Sequence, residues 1–345
     1  MSDGNLGNVG SVRIGFIGCG RHSTASLYPN FAKIPQLELV ATCDLKPELA
    51  KRNARLFGAL RHYTDYGKML KEEDLDAAFV VGPPAMHVDI GKACLEAGLH
   101  LFVEKPPAET PEAARELVEV ARRKGRMTQV GHMMRHAPTI RKAMEIVRSN
   151  DFGKPIFLES KYFTPGPGIK DQEPLRGWSY MIDQATHPID LAHHFLGKIT
   201  RLSAFCSIGS NQMPAFSVAM EFECGATGFL NLNGAAPHWT SRLEVVGDKF
   251  TQVTVTDLGR LSYERQVDGG YLFPVGRPSQ TWEVPLRDNS ERRAGYLEEM
   301  AHFAESILNN KTPYPSIEDG RRALVVCRSI LESVKSKSAV QVDYG

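Results

Sequence analysis

The sequence predicts an α/β chain in two parts, a parallel α/β domain followed by a second α/β domain with a largely antiparallel open sheet. Three observations carry this. From Val12 to about Val130, short apolar runs alternate with helical stretches, the pattern of parallel strands joined by crossover helices. In the second half, strand-like runs follow one another without intervening helices, as antiparallel pairing allows. The first apolar run ends in a glycine turn, Gly18-Cys-Gly20-Arg-His-Ser23, where a parallel sheet binds its ligand. The 345 residues suffice for two cores. We divide them into a flexible tail over 1–10, a first domain over 11–130 and a second over 131–345.

In the first domain Val12 to Ile17 is a strand, since five of its six residues are apolar or glycine, as burial on both faces demands. A helical stretch to about Ile34 follows, and then Leu37 to Cys43 as a second strand ending at Asp44. Further strands are expected at Asp76 to Val81, His100 to Val103 and Met127 to Val130. Helices are expected near Pro47 to Phe57, Asp65 to Leu70, Ala85 to Ala97 and Pro111 to Lys124, several opening on proline or an acidic residue. Such a sheet aims the carboxyl ends of its strands at the ligand, so the residues just past each run are the candidates for binding. A dinucleotide pyrophosphate needs backbone amides at close range and the positive end of a helix behind them. Gly18 permits the tight turn, Gly20 leaves room for phosphate, and Ser23 stands where a third glycine is usual. A dinucleotide-binding domain is therefore expected. Asp44 lies where an acid accepts the ribose hydroxyls and repels a 2′-phosphate, which points to NAD rather than NADP, although Arg21 and Lys46 are near enough in sequence to offset that repulsion. The cofactor-binding residues are placed at Gly18, Gly20, Arg21, His22, Ser23, Asp44, Pro83, Pro84, His87, Glu104 and Lys105.

The second half opens with a helix at about Ala137 to Ser149 and a strand at Ile156 to Phe163. A Pro/Gly-rich loop over Thr164 to Gly177 could cover a site. After a helical segment at Ser179 to Leu196 come strand-like runs near Ile199 to Ile208, Phe216 to Phe222, Ala226 to Leu232, Arg242 to Val246 and Phe250 to Thr256. Helices at Arg292 to Asn309 and Ser316 to Lys335 and a strand at Ala339 to Val342 close the chain. The runs Phe216 to Phe222 and Ala226 to Leu232 carry more apolar residues than one covered face absorbs, so a homodimer or homotetramer formed through this sheet is expected.

Composition narrows the partners. Forty-one basic and 40 acidic side chains leave a formal charge of +1, which excludes a basic footprint for nucleic acid or an anionic membrane. The first ten residues have neither a basic start nor an apolar core, and no apolar run approaches the ~20 residues of a membrane helix. Six scattered cysteines, none in a C-x-x-C pair, fit reduced thiols in the cytoplasm. The expected partner is a small molecule.

Two clusters carry chemistry. In Glu104-Lys105-Pro106-Pro107 the prolines forbid a helix directly after the strand and so hold Lys105 at the mouth of the sheet. Farther on, Asp183, His187, Asp190 and His194 follow at spacings of four, three and four, along one side of a helix. Pro188 cannot bond back to the Gln184 carbonyl and should kink that helix, or start a new one, beside His187. A metal centre and a hydrogen-bonded core histidine are the rival readings; nothing in the sequence fixes further ligands, and no metal is expected.

The GFIGCG turn, Asp44, Pro83-Pro84-Ala-Met-His87, the EKP at 104–106 and the D-x-x-x-H-x-x-D at 183–190 together resemble the glucose-fructose oxidoreductase, inositol dehydrogenase and rhizopine-catabolism (Gfo/Idh/MocA) family over nearly the whole chain. The resemblance implies a Rossmann domain joined to an α/β domain with an open antiparallel sheet. It implies too that Lys105, Asp183 and His187 line the substrate site. The chain departs from the usual pattern in Ser23, in Ala185 where glycine is usual, and in Pro188 after the histidine. On this basis the chain is expected to oxidise a secondary hydroxyl of a sugar, sugar derivative or cyclitol with NAD. His187 would act as base, Lys105 would stabilise the alkoxide, and Asp183 would orient His187 or bind a neighbouring hydroxyl. His132, Arg135, Tyr162, Arg176 and Trp178 are further candidates for substrate binding. The family also includes NAD-dependent glycosidases that act by transient ring oxidation, and regulators that bind dinucleotide without turnover.

Overall fold

A computed structural model describes residues 10–169, 173, 175–266, 279–285 and 293–345. The tail expected over 1–10 lies, apart from Gly10, outside the described residues, as do parts of the Pro/Gly loop. The chain forms two compact units, one running to Met133 and taking in Tyr296–Arg321, the other made of Met134–Gly295 and Arg322–Gly345. The expected division at residue 130 is thus close, but a late stretch assigned to the second domain belongs with the first.

The first unit is a six-stranded, all-parallel sheet. Its strands are β1 (Val12–Ile17), β2 (Leu37–Cys43), β3 (Arg61–Tyr63), β4 (Ala77–Val80), β5 (His100–Val103) and β6 (Thr128–Val130), in the order β3-β2-β1-β4-β5-β6. Helices α1 (Pro47–Phe57), α2 (Tyr66–Glu72), α3 (Pro84–Glu96) and α4 (Pro111–Lys124) connect them. Local chemistry sets the helix ends. Thr110 accepts from the Ala113 amide at 3.2 Å to open α4, Pro111 takes its first position, and Gly125 at φ +61° ends it. Strand β3 escaped the sequence reading because Arg61-His62-Tyr63 is a short edge strand with two exposed residues, so it lacks an apolar signature. The stretch after the glycine turn is helical but irregular, a π turn (Ser23–Leu27) followed by a 3₁₀ segment (Tyr28–Lys33) that contains Pro29.

The sheet has a packed layer on each face. On one, Phe16, Phe79 and Phe102 stack at centroid separations of 5.5 and 4.5 Å across β1, β4 and β5. Helix α8 (Tyr296–Leu308) covers them, with Phe303 edge-on to Phe79 at 5.6 Å. That packing is why the late helix groups with the first unit.

The second unit has helices α5 (Pro138–Val147), α6 (Trp178–Tyr180) and α7 (Thr186–Leu196) and a nine-stranded sheet. The strands are β7 (Pro155–Phe163), β8 (Ile199–Ile208), β9 (Pro214–Phe222), β10 (Thr227–Asn233), β11 (Thr240–Gly247), β12 (Thr251–Thr256), β13 (Arg260–Arg265), β14 (Ser279–Glu283) and β15 (Val340–Gln341). Their order is β14-β13-β12-β11-β7-β10-β9-β8-β15, antiparallel throughout except for the parallel pair β7 and β10. Strands β13 and β14 were not anticipated. One face is covered by α5 against β12, by α7 against β7, and by α9 (Ile317–Ser336), whose Ser333 hydroxyl accepts from the Ala204 amide of β8 at 3.0 Å. The apolar surplus expected in β9 proves to be alternation: Phe216, Val218, Met220 and Phe222 are all buried, and Ser217 and Glu221 face out. Among the described residues, Phe205 and Phe229 are the large apolar side chains exposed on the open face, at 77% and 47%.

No helix among the described residues is long and apolar enough to cross a membrane. The cysteines are free, and burial pushes the thiols of Cys19 up to about 11 and those of Cys43 and Cys94 up to about 12, so these three are poor nucleophiles at neutral pH.

Candidate functional site

In the first unit the glycine turn leaves β1 toward the gap between β1 and β4, where the strand order reverses. Gly18 has φ +106°, and a Cβ there would stand 1.8 Å from the Val81 carbonyl oxygen, so no other residue fits. A Cβ on Gly20 would meet nothing within 4 Å; its backbone borders open space that a phosphate can enter. Ser23 is buried and donates its hydroxyl to the carbonyls of Gly18 at 2.9 Å and Gly20 at 3.2 Å. It therefore ties the turn together where a third glycine would only leave space. Arg52 and Asn53 of α1 brace the far side. Arg52 donates to the Cys19 carbonyl and to the Thr24 hydroxyl, both at 3.0 Å, and Asn53 donates to the same hydroxyl at 2.9 Å. Nothing in the sequence marked these two, because their contacts span about thirty residues.

Asp44 accepts from the Cys19 amide at 2.7 Å and from the Lys46 amide at 2.9 Å, one on each oxygen, which fixes the carboxylate at the end of β2. A forced glycine, a backbone open to phosphate and an aimed carboxylate fit a dinucleotide with its pyrophosphate on the turn and a ribose at Asp44.

At the end of β5, Glu104 is 4% exposed and accepts from the Lys105 amide at 2.8 Å and lies 3.3 Å from the His22 ring. Burial alone would raise the Glu104 carboxyl, but the His22 hydrogen bond and charge, with Lys105, bring it below its ordinary value. His22 thus links the glycine turn to the E-K-P turn, and Lys105 stands half-buried beside it. His87 was expected to touch the cofactor, yet it has no exposed surface. It accepts from the Gly82 amide at 3.3 Å through Nε2, so Nδ1 carries the proton and donates to the Pro106 carbonyl at 2.8 Å. Burial lowers its pKa and keeps it neutral. Rather than facing a ligand, His87 fastens the loop after β4, with Pro83 and Pro84 at its helix start, to the turn that carries Lys105. His132, placed in the substrate site by the sequence, is likewise buried, at 1%.

In the second unit a π turn (Met181–Ala185) carrying Asp183 gives way to α7, which opens at Thr186. The break lies where Pro188 withholds its bond from Gln184, as the sequence predicted. His187 is 5% exposed in the first turn of α7. Its ring lies 6.2 Å from Tyr162 of β7, which in turn meets Trp239 edge-on at 6.3 Å. Burial first, then the nearby Asp183 charge, push the Tyr162 hydroxyl up to about 12, while a hydrogen bond from Trp239 pulls the other way. Asp183 accepts from the Gln184 side chain at 2.7 Å. The structure therefore gathers Asp183, His187 and Tyr162, and adds Trp239, an unflagged tryptophan in the loop before β11.

Arg135 was expected to bind substrate. Instead it makes a bidentate pair with Asp190, at 2.7 and 2.6 Å, both side chains nearly fully buried. One turn beyond His187, Asp190 is thus committed to Arg135 and not to a ligand. Arg176 is exposed and near enough to Cys206 for its charge to be felt there, and Trp178 is half-buried at the start of α6. Among the described residues, no group of three or more His, Cys, Asp or Glu is placed to hold a metal ion.

Residues 12–132 match the family model described as "Oxidoreductase family, NAD-binding Rossmann fold", and residues 140–252 match the "GFO/IDH/MocA C-terminal domain". The chain is 26% identical to scyllo-inositol 2-dehydrogenase (NAD(+)) of Bacillus subtilis over 96% of each chain. It is 25% identical to levoglucosan dehydrogenase of Pseudarthrobacter phenanthrenivorans over 97% of this chain and 98% of that one. A solved structure of levoglucosan dehydrogenase in complex with NADH and L-sorbose shares the fold with a TM-score of 0.85 at 20% identity, covering 97% of this chain and 99% of the other.

Proposed function

The chain belongs to the Gfo/Idh/MocA oxidoreductase family, and on that footing we propose that it oxidises a secondary hydroxyl of a sugar, sugar derivative or cyclitol, or reduces the matching ketone. The placing of His187 carries this reading: a buried imidazole at a helical break, flanked by the Tyr162 ring and close in the chain to Asp183. A bound nicotinamide supplies the hydride acceptor. Taking a hydride from a CH–OH carbon also requires the hydroxyl proton to leave, and His187 receives it. Asp183 orients His187 or holds a neighbouring hydroxyl. Lys105, on a turn whose backbone Glu104 and His87 hold, supplies an ammonium that stabilises the alkoxide as charge develops. Two relatives, named an inositol dehydrogenase and a levoglucosan dehydrogenase, support a polyhydroxylated substrate.

The test is a panel of sugars, anhydrosugars and inositols assayed by NADH absorbance. Turnover on at least one class is expected; glycoside cleavage without net cofactor change, or cofactor binding without any turnover, would replace the reading. With Asp44 fixed at the end of β2, NAD is the preferred cofactor, and equal or better efficiency with NADP would refute that. The exposed Phe205 and Phe229 support self-association through the open face of the second sheet, and a monomer by light scattering at micromolar concentration would exclude it. The buried free thiols support a reducing, cytoplasmic setting.

A further inference from the structure

Helix α8 brings a second carboxyl group to the first unit's site. Phe303 packs on Phe102 of β5 at 5.9 Å, and Glu299 lies one helical turn before Phe303, on the same side of α8. Glu104 lies two residues past Phe102, on the same face of the sheet. Four helical residues rise about 6 Å and two extended residues about 6.6 Å, so the two carboxyl groups arrive at one level. Strand β6 supports this alignment independently. Gln129 donates to the Glu299 carbonyl at 2.9 Å, and two residues on, Gly131 is bare where a Cβ would stand 2.8 Å from Glu104 Oε1.

The two carboxyl groups are not equivalent. Glu104 has the Lys105 amide and His22 as partners. Glu299 has no exposed surface, and neither of its oxygens has a hydrogen-bond partner among the described residues. Burial, then the charge on Glu104, raise the Glu299 carboxyl well above its ordinary value. Glu104 is the ionisable group that Glu299 feels from the sheet, and Glu104 in turn feels His22 from the glycine turn and Lys105 from its own turn.

We propose that Glu104 and Glu299 carry a single negative charge between them, held on Glu104, with Glu299 a neutral acid that positions it. A second negative charge in this closed layer would drive Glu104 away from the Lys105 amide and open the turn that presents Lys105. Only this last consequence rests on the role proposed above for Lys105; the charge state can be measured without any substrate.

The experiment compares wild type with Glu299→Gln, which keeps the shape and has no proton to lose. Between the ordinary carboxyl pKa and its raised folded value, the folded chain holds a proton that the unfolded chain has released. Rising pH therefore drains stability from wild type alone, by up to about tenfold in the unfolding constant per pH unit. Glu299→Gln should gain on wild type as pH rises above the ordinary carboxyl range, until the raised folded value is passed. A constant difference, or wild type gaining with pH, would overturn the neutral acid. Infrared spectra at pH 7 should show a protonated carboxyl stretch that Glu299→Gln lacks, and its absence from wild type would overturn the proposal as well. In Glu104→Gln that band should vanish at a lower pH than in wild type, because the charge that opposes ionisation is gone; an unmoved midpoint would show that the two groups do not share a charge.

Discussion

At Gly18 the first unit leaves no room for a side chain, whereas at His187 the second unit closes around one with aromatic and ionisable neighbours. Around the glycine turn, backbone geometry makes the surface proposed to bind the dinucleotide, and side chains such as Ser23, Arg52, Asn53 and His87 act as props for the turns around it. Around the π turn, the chemistry we propose belongs to side chains, and the backbone contributes the irregular turn that carries Asp183 just before His187. Substitutions in the two regions should therefore fail in different assays.

The largest effect is expected at His187. His187→Ala should lower turnover by about 10²- to 10⁴-fold, while NADH affinity and melting temperature stay near wild type. Retained turnover would move the base elsewhere and erase the contrast. Next in size is the Arg135 and Asp190 pair. Asp190→Ala removes the bidentate carboxylate from a buried guanidinium and should cost about 3–5 kcal/mol in a denaturant titration. A loss under about 1 kcal/mol would mean that water reaches Arg135 and that the pair is not closed.

The glycines sharpen the comparison within one turn. Gly18→Ala meets both the Val81 carbonyl and an unfavourable φ, so a stability loss of about 2–3 kcal/mol should accompany loss of cofactor binding. Gly20→Ala points into open space and should weaken NADH in a fluorescence titration without moving the melting temperature. Equal effects of the two on stability would show that Gly20 also serves the fold. The smallest effect is the pH dependence contributed by His87. Its folded pKa is depressed, so the stability it contributes is present above the ordinary histidine value of about 6.5 and is lost as pH falls through the lower folded value. In thermal melts between about pH 7 and pH 5, His87→Gln should flatten part of the wild-type decline. An unchanged slope would mean that folding does not shift the protonation of His87 and that burial is not what sets it.

Pro188 shows what can be read locally: a missing donor four residues from Gln184 must disturb the helix, and the π turn lies there. Arg135 shows the limit. It follows a strand end just as a binding residue would, and only the folded chain places Asp190, 55 residues away, against it. The apolar runs of β9 and β10 misled for a related reason. The phenylalanines and methionine of β9 and the leucines of β10 alternate into one covered face, and Phe205 and Phe229, exposed on the open face, are single residues on two different strands.

By itself the sequence determined the glycine turn, Asp44, the E-K-P turn and the break beside His187, because each arises from steric and hydrogen-bonding rules acting within a few residues. Tertiary structure alone decided that Tyr296–Leu308 covers the first sheet, that Glu299 is buried where it feels the charge of Glu104, that Trp239 reaches Tyr162, and that Arg135 is spent on Asp190. The physical reason is the range of the interaction. Burial and charge pairing depend on which distant segment fills the adjoining space, and neither composition nor periodicity names that segment.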